Sequence, residues 1–295
     1  MNPEAAEAPA APMRWPLLRH LARNPGGRIG ALIALPVLLC AVLAPWLAPH
    51  PPLAQQPGYI LHPPAWLAGG SWAHPLGTDS VGRDLLSRLL MGCRLSLLTA
   101  CAVVAFSMPT GVALGLLAGY CRGWVDALVM RAVDILLALP GLLLAIAMVA
   151  VLGPSLRNAV LATVLVALPG YVRLARASVL AEAGKDYVTA TRMTGAGPLH
   201  LMLRTLLPNA LAPVIVQATL GFSTAVIEVA ALGFLGLGAQ PPSPEWGTML
   251  AESMAFLQSA WWAVAFPGLA IFVTVLACNL IGDALRDALD PRLRN

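Results

Sequence analysis

The stretch LSLLTACAVVAFSMPTGVALGLLAG, residues 95–119, is 25 residues long and contains no charged side chain. A helix needs about 20 mostly apolar residues to cross a bilayer, so this stretch predicts a transmembrane helix. Five other stretches are also mostly apolar, and the shortest can continue as a helix past Arg173 and Arg176. They are Ile29–Ala48, Ile135–Leu152, Asn158–Val172, Leu211–Ala231 and Ala260–Ile281. We therefore predict an all-α, polytopic membrane protein with six transmembrane helices.

The composition of the whole chain agrees with this fold class. Of its 295 residues, 58% are hydrophobic and 11% are charged, and the mean hydropathy is +0.76. Soluble domains average about 25% charged residues, and disordered chains are poor in apolar residues. The composition therefore excludes both a soluble globular domain and a disordered chain.

Every predicted span contains a proline, which in a soluble helix would argue against the assignment. Neighbouring membrane helices can satisfy the carbonyl groups that proline frees, so we keep the helices and expect kinks. In chain order, the spans contain Pro36, Pro109, Pro140, Pro169, Pro213 and Pro267, one in each, and the first span has Pro45 as well. The second span also carries Gly111, Gly115 and Gly119 on one face, a pattern that allows close helix approach. That face could pack inside this subunit or form a subunit interface.

The positive charges indicate how the chain is oriented, because cytoplasmic loops are rich in Lys and Arg. With the N-terminus inside, the cytoplasmic segments hold 14 of the 18 Lys and Arg residues. We therefore predict that both termini are cytoplasmic and divide the chain accordingly. The segments are a cytoplasmic tail (1–28), a first helix acting as an uncleaved signal anchor (29–48), a periplasmic segment with an interfacial helix (49–94), a core of five transmembrane helices (95–281) that includes a cytoplasmic loop (173–208), and a cytoplasmic tail (282–295).

The periplasmic segment ends in the polar sequence GTDSVGRD, residues 77–84. We expect Thr78 or Asp79 to cap an amphipathic helix along the membrane interface, with Arg83 and Asp84 on its polar side. This helix could simply return the chain to the membrane, or it could take part in gating.

The cytoplasmic loop contains the most specific signal in the chain. Gly195 is a natural residue just beyond a helix end, and Pro198 suits the first turn of a second short helix. Pro208 is expected to open the next span. We therefore predict a helix–glycine–helix elbow at the cytoplasmic surface that transmits force from a soluble partner.

This loop resembles the cytoplasmic signature of bacterial ABC-importer permeases: Glu-Ala-Ala, three residues, Gly, nine residues, Ile-x-Leu-Pro. Ala190, Gly195, Leu207 and Pro208 match that signature, whereas threonine replaces the family residue at positions 189, 191 and 205. The stretches 74–84, 230–247 and 279–291 resemble the second permease subunit of dipeptide, oligopeptide and nickel importers, most closely the dipeptide members. The resemblance covers residues 15–295.

The resemblance implies a type I ABC importer in the bacterial inner membrane. Its partners would be a second homologous permease subunit, two ATP-binding subunits and a periplasmic binding protein that delivers dipeptides or short peptides. Nickel chelates, glutathione or another small solute remain alternative cargoes. The residues implied to couple to the ATP-binding subunit are Thr189, Ala190, Thr191, Met193, Gly195, Ala196, Pro198, Leu199, Leu207 and Pro208.

The sequence offers no catalytic, cofactor or metal motif. The single lysine, Lys185, is followed by Asp186, so no Walker A motif can form, and neither GxSxG nor HExxH occurs. The five cysteines contain no CxxC pair, and the dispersed basic residues do not indicate nucleic acid. We therefore expect no enzyme activity, cofactor or metal.

Glu228 is the one acidic residue inside a predicted span, and such residues are functional by default. It could line the translocation pathway or gate, or lie near the interface with its carboxylate in water. A lone membrane acid would also be compatible with a proton-coupled secondary carrier, which is the rival to an ATP-driven importer.

Overall fold

The computed structural model describes residues 24–289 and contains only helices and loops within that range. The ten α-helices of residues 24–289 are numbered here in chain order, and a π-helical turn, Leu201–Leu206, joins the seventh to the eighth. They are α1 (Pro25–Leu47), α2 (Leu85–Cys121), α3 (Gly123–Leu137), α4 (Gly141–Leu152), α5 (Leu156–Ala183), α6 (Asp186–Met193), α7 (Pro198–His200), α8 (Leu207–Phe234), α9 (Trp246–Ser253) and α10 (Trp261–Leu289).

Five helical segments are long and apolar enough to cross a membrane, and the pair α3 and α4 makes a sixth candidate if it is counted as one bent span. The described residues thus confirm an all-α membrane protein, with five candidate spans, or the predicted six when the bent pair is counted. Of the predicted tails at 1–28 and 282–295, residues 1–23 and 290–295 lie outside the described residues.

The predicted span Ile135–Leu152 is broken in the structure. Helix α3 ends at Leu137 and α4 begins at Gly141, with an angle of 88° between them. Pro140 is the N-cap of α4 and has an extended backbone. Proline has no N–H for a helical hydrogen bond and also disfavours helical geometry at the residue before it, so the helix stops here instead of kinking.

The predicted interfacial helix is not a separate element. Helix α2 runs without interruption over 37 residues from Leu85 to Cys121. Its N-cap is Asp84, and not Thr78 or Asp79, because the Asp84 carboxylate accepts a hydrogen bond from the Ser87 backbone N–H at 2.8 Å. Gly82, at φ +78°, turns the chain just before this cap. The boundary expected at residue 94 therefore lies inside the helix.

Two further boundaries differ from the prediction because a helix continues into the next segment. Helix α10 extends to Leu289, beyond the span end expected at Ile281. At the start of α8, Pro208 does not open a new helix, since the helical chain is continuous from Pro198 through the π-helical turn. Pro208 is the second residue of α8.

The central contact of the fold is between α2 and α5, and the glycine face of α2 makes it. A Cβ atom added at Gly111 would lie 2.5 Å from Tyr171 Cβ, and one added at Gly115 would lie 2.6 Å from the Val172 carbonyl oxygen. At Gly119 it would lie 2.9 Å from Val179 Cγ1. The glycine stripe therefore packs inside this subunit.

We expect Gly115→Ala to destabilise the chain by about 1–3 kcal/mol, because the new methyl group would meet backbone atoms that cannot rotate away. Gly170→Ala is the matched control, since the nearest atom to an added Cβ is 3.9 Å away. It should be neutral or slightly stabilising. Unfolding of the purified chain in detergent measures both, and equal effects would contradict the close packing.

The two ends of the helical bundle are distinct. At one end, Asn24 Nδ2 donates to Asp287 Oδ2 at 3.1 Å, so the start of α1 and the end of α10 lie together. Asn209 and Arg286 line one cavity of about 600 Å³ there. We call this the elbow end, because α6 and α7 lie beside it. The opposite end, formed by residues 48–84 and α9, is called the loop end.

Candidate functional site

The elbow is built by local backbone signals. Helix α6 ends at Met193, and Gly195 follows with φ +81°, a left-handed conformation that disfavours any residue with a Cβ. The Gly195 N–H donates to the Arg192 carbonyl at 3.1 Å. Gly197 is the N-cap of α7 and Pro198 its first residue. The predicted glycine stop and proline start are both present.

The elbow is anchored to the bundle by an apolar cluster. Val188 of α6 is only 1% exposed and packs with Val179 of α5 and Leu116 of α2. From the other arm, Leu201 and Leu206 join the same cluster, at 2% and 0% exposure. One buried cluster therefore contains residues from both arms of the elbow and from two long helices, α2 and α5.

Polar contacts hold α6 against the end of α5. Lys185 Nζ donates to Glu182 Oε1 at 2.7 Å, and the Tyr187 hydroxyl donates to Glu182 Oε2 at 2.6 Å. Burial, together with the hydrogen bond to this carboxylate, raises the pKa of Tyr187 to about 12. The hydroxyl therefore remains a donor at neutral pH and links the start of α6 to the end of α5.

The outer surface of the elbow carries exposed apolar side chains. Met193 is 85% exposed, Leu199 is 69% exposed and Leu203 is 48% exposed. We call these three residues the apolar ridge. Of the other predicted coupling residues, Ala196 packs partly into the cluster, Thr191 and Leu207 are half-buried, and the rest are exposed, namely Thr189, Ala190, Gly195, Pro198 and Pro208.

The loop end contains a buried charge network. Arg83 Nε donates to Asp79 Oδ2 at 2.6 Å, while Arg83 Nη2 and Arg88 Nη2 each donate to Glu252 Oε2 at 2.8 Å. The four side chains are between 1% and 19% exposed. Two guanidinium groups face two carboxylates, so the network is charge-balanced. It joins the loop before α2 to α9.

Asp79 and Arg83 were singled out from the sequence, but Glu252 and Arg88 were not. Glu252 lies 169 residues after Arg83 and 164 residues after Arg88 along the chain, so no local pattern could indicate that these residues pair. Asp84 was also singled out, and the structure places it at the N-cap of α2. There it also contacts His74 Nδ1 at 2.9 Å.

Glu245 is a second buried acid at the loop end that sequence analysis missed. It is 1% exposed and caps α9 by accepting hydrogen bonds from the backbone N–H groups of Gly247 and Thr248 at 3.0 and 2.9 Å. Burial raises the pKa of Glu245, and these hydrogen bonds act in the opposite direction. The residue therefore stabilises the loop that precedes the last span.

Glu228 lies on α8 at the border between its buried and exposed faces. Val229 and Ala225 are buried beside it, whereas Thr224 and Ile227 are exposed. Within residues 24–289 its carboxylate makes no hydrogen bond or ion pair. Gln217, Gly221, Thr224 and Glu228 recur at intervals of three or four residues and so form one stripe of small or polar residues along α8.

Two family models match the chain. Residues 111–295 match the model described as binding-protein-dependent transport system inner membrane component. Residues 16–64 match the N-terminal TM domain of oligopeptide transport permease C. The chain belongs to the family of inner membrane components of binding-protein-dependent transport systems, which confirms the resemblance to ABC-importer permeases. It is a multi-pass membrane protein.

Curated relatives are similar over nearly the whole chain. The dipeptide transport system permease protein DppC of Escherichia coli (strain K12) is 57% identical over 292 residues, 98% of this chain and 96% of that protein. The di/tripeptide transport system permease protein DppC of Pseudomonas aeruginosa (strain UCBPP-PA14) is 56% identical over 277 residues, 94% of this chain and 91% of that protein.

A solved structure shares the fold. A chain from inward-facing conformations of the MetNI methionine ABC transporter superposes with a TM-score of 0.59 and 21% identity. The match covers 70% of this chain and 98% of that chain. At this identity the likeness concerns the arrangement of helices alone.

Proposed function

We propose that this chain forms half of the translocation pathway of an ABC importer for dipeptides or short peptides. The names of two relatives at 56% and 57% identity support the peptide cargo. The observation that carries the importer mechanism is the elbow, which presents an apolar ridge to the outside while its base is buried among the long helices.

The elbow is suited to receive energy from a separate ATP-binding subunit. Exposed apolar side chains on a rigid support are typical of a protein–protein contact. Met193 and Leu199 would enter a groove of that subunit, together with Ala190 and other exposed residues of the predicted coupling set. When two ATP-binding subunits close, the elbow moves and α2 and α5 move with it. A second permease subunit and a periplasmic binding protein would complete the transporter.

The energy source distinguishes this function from a proton-coupled carrier. In proteoliposomes containing the assembled complex and its binding protein, radiolabelled dipeptide uptake should require ATP and continue after a protonophore collapses the proton gradient. Unlabelled dipeptides should compete, whereas nickel chelates and glutathione should not. Uptake that stops with the protonophore but persists without ATP would refute the proposal, and competition by nickel or glutathione alone would refute the peptide cargo.

The proposed topology places the elbow end in the cytoplasm and the loop end outside. It is supported by the distribution of Arg and Lys, because 14 of these 18 residues fall in the inside segments. The contact between Asn24 and Asp287 also supports it, because that contact puts the start of α1 and the end of α10 at the same end of the bundle. Alkaline phosphatase fused near residues 65 and 245 should be active, and fusions near 195 and 290 should be inactive. The opposite pattern would overturn this orientation.

The polar stripe of α8 is proposed to line the pathway or its gate. A stripe containing Gln217 and Glu228 is costly against lipid, but it is stabilised where a water-filled cavity adjoins it. Gln217 already lines the cavity of about 600 Å³ at the elbow end. Glu228 lies further along the same stripe, towards the loop end.

We expect Glu228→Leu to reduce dipeptide uptake several-fold without reducing assembly of the complex, because it removes the carboxyl group from the proposed pathway. Ile227→Leu is the matched control, since Ile227 is the adjacent residue and 49% exposed. It should transport normally. Uptake assays combined with co-purification of the subunits check both points, and unchanged uptake by Glu228→Leu would favour a carboxylate that merely reaches interfacial water.

A further inference from the structure

We propose that the loop end contains a binding site for a divalent transition-metal ion of the Zn²⁺ type, formed by His50, His74 and Asp84. One ligand atom from each residue lies within 4.8 Å of the other two. Two imidazoles and one carboxylate are ligands that zinc accepts, with water completing the tetrahedron. None of the three residues belongs to the elbow or to the α8 stripe.

The distances suit a metal ion after a small movement of one ring. His74 Nδ1 lies 2.9 Å from Asp84 Oδ1, and His50 Nδ1 lies 3.9 Å from Asp84 Oδ2. With Zn–N and Zn–O bonds of about 2.0–2.2 Å, neighbouring ligand atoms in a tetrahedron are about 3.4 Å apart. The two observed separations, which involve different oxygens of Asp84, lie on either side of that value.

The surroundings orient two of the ligands. His74 Nδ1 faces Asp84 Oδ1 at 2.9 Å and its Nε2 lies 3.3 Å from Gln56 Oε1, so contacts on both sides of the ring hold its orientation. When a metal ion binds Nδ1, the ring hydrogen would lie on Nε2, where Gln56 Oε1 can accept it. The Ser87 backbone N–H and hydroxyl hold Asp84 Oδ2 at 2.8 and 2.6 Å. Such outer contacts are typical of metal sites.

His50 supplies the adjustable ligand. Its Nδ1 atom is buried and has no hydrogen-bond partner within the described part of the chain, an arrangement that costs free energy unless a ligand satisfies the atom. The side chain as a whole is 29% exposed, so part of the ring is open to solvent and leaves a route for an ion. The His50 and His74 rings already lie close, with centroids 4.8 Å apart.

A metal ion here would connect three separate parts of the loop end. His50 follows the end of α1 by three residues, Asp84 caps the start of α2, and His74 lies in the loop between them. The ion would therefore fix the segment between the first two spans, in addition to the charge network of Arg83 and Glu252.

The test measures metal bound to the purified full-length chain in detergent. After equilibration with Zn²⁺ and removal of unbound ion, the wild-type chain should retain about one zinc per chain, and Co²⁺ in its place should give the visible absorption of a tetrahedral site. His50→Ala, which keeps the contact between His74 and Asp84, should weaken zinc binding by about 100-fold or more. Asp84→Asn should weaken it as well while keeping a good N-cap.

His62→Ala is the matched control, because His62 lies in the same segment and its ring is near Tyr59, but it is outside the three-residue set. It should bind zinc as the wild type does. Equal zinc retention in wild type and His50→Ala, or no retention by the wild type, would overturn the proposal. Loss in His62→Ala but not in His50→Ala would move the site elsewhere and also refute it.

Discussion

Replacing Glu252 with alanine is expected to lower the free energy of unfolding by about 3–5 kcal/mol, the range for breaking a buried ion pair by removing one partner. Glu252 Oε2 accepts hydrogen bonds from both Arg83 and Arg88 at 2.8 Å. Without it, two guanidinium groups that are 5% and 1% exposed would share the single carboxylate of Asp79. One of the contacts that hold α9 against the start of α2 would be lost, while the hydrogen bond from Trp246 Nε1 to the Leu89 carbonyl would remain.

An exposed ion pair provides the matched control. Arg173 Nη2 and Asp134 Oδ1 lie 2.8 Å apart, but the side chains are 51% and 56% exposed. Asp134→Ala should therefore change stability by less than about 1 kcal/mol. Glu252→Gln, which keeps an acceptor oxygen, should fall between the two. Thermal unfolding in detergent measures all three, and equal effects of Glu252→Ala and Asp134→Ala would mean that burial adds nothing to this network.

Replacing Gly195 with valine is expected to abolish the coupling of ATP hydrolysis to transport while leaving membrane insertion intact. The cause is the backbone, because nothing lies within 4 Å of an added Cβ, so no steric clash occurs. The left-handed conformation at φ +81° costs a residue with a Cβ roughly 1–2 kcal/mol. A β-branched residue would shift the chain out of that conformation and reorient α6 relative to α7.

Gly197 makes a matched control two residues away. It is equally open to solvent, but its φ of −70° is accessible to any residue. Gly197→Val should keep normal coupling, and Gly195→Asn should keep most of it because asparagine tolerates the left-handed region. The measurement is substrate-stimulated ATP hydrolysis and dipeptide uptake by reconstituted complexes. Normal coupling in Gly195→Val would refute the proposed role of the elbow.

The sequence predicted correctly those features that depend on short stretches of neighbouring residues. A span depends on the apolar content of about 20 consecutive residues, so the six spans were predictable from composition. The stop at Gly195 and the start at Pro198 depend on the backbone preferences of single residues, so the elbow was predictable too. The break at Pro140 was anticipated only as a kink, because nothing in the sequence shows whether neighbouring helices satisfy the carbonyl groups freed by proline.

The helix start at Asp84 shows the limit of capping signals. Thr78, Asp79 and Asp84 are all acceptable N-caps by residue type. Asp84 is the N-cap because the Asp79 carboxylate already accepts hydrogen bonds in the preceding turn. Its donors are the Arg83 side chain and the backbone N–H groups of Val81 and Arg83. Which of several acceptable residues becomes the N-cap therefore depends on contacts that form only in the folded loop.

By itself, the sequence determined that this chain is helical, crosses the membrane about six times and bends at Gly195, since apolar content and local backbone preference act over short stretches. The tertiary structure alone decided that the glycines of α2 face α5, that Glu252 neutralises Arg83 and Arg88, and that His50 and His74 meet at Asp84. These contacts join residues from different segments, and their free energy exists only when folding has brought the side chains together.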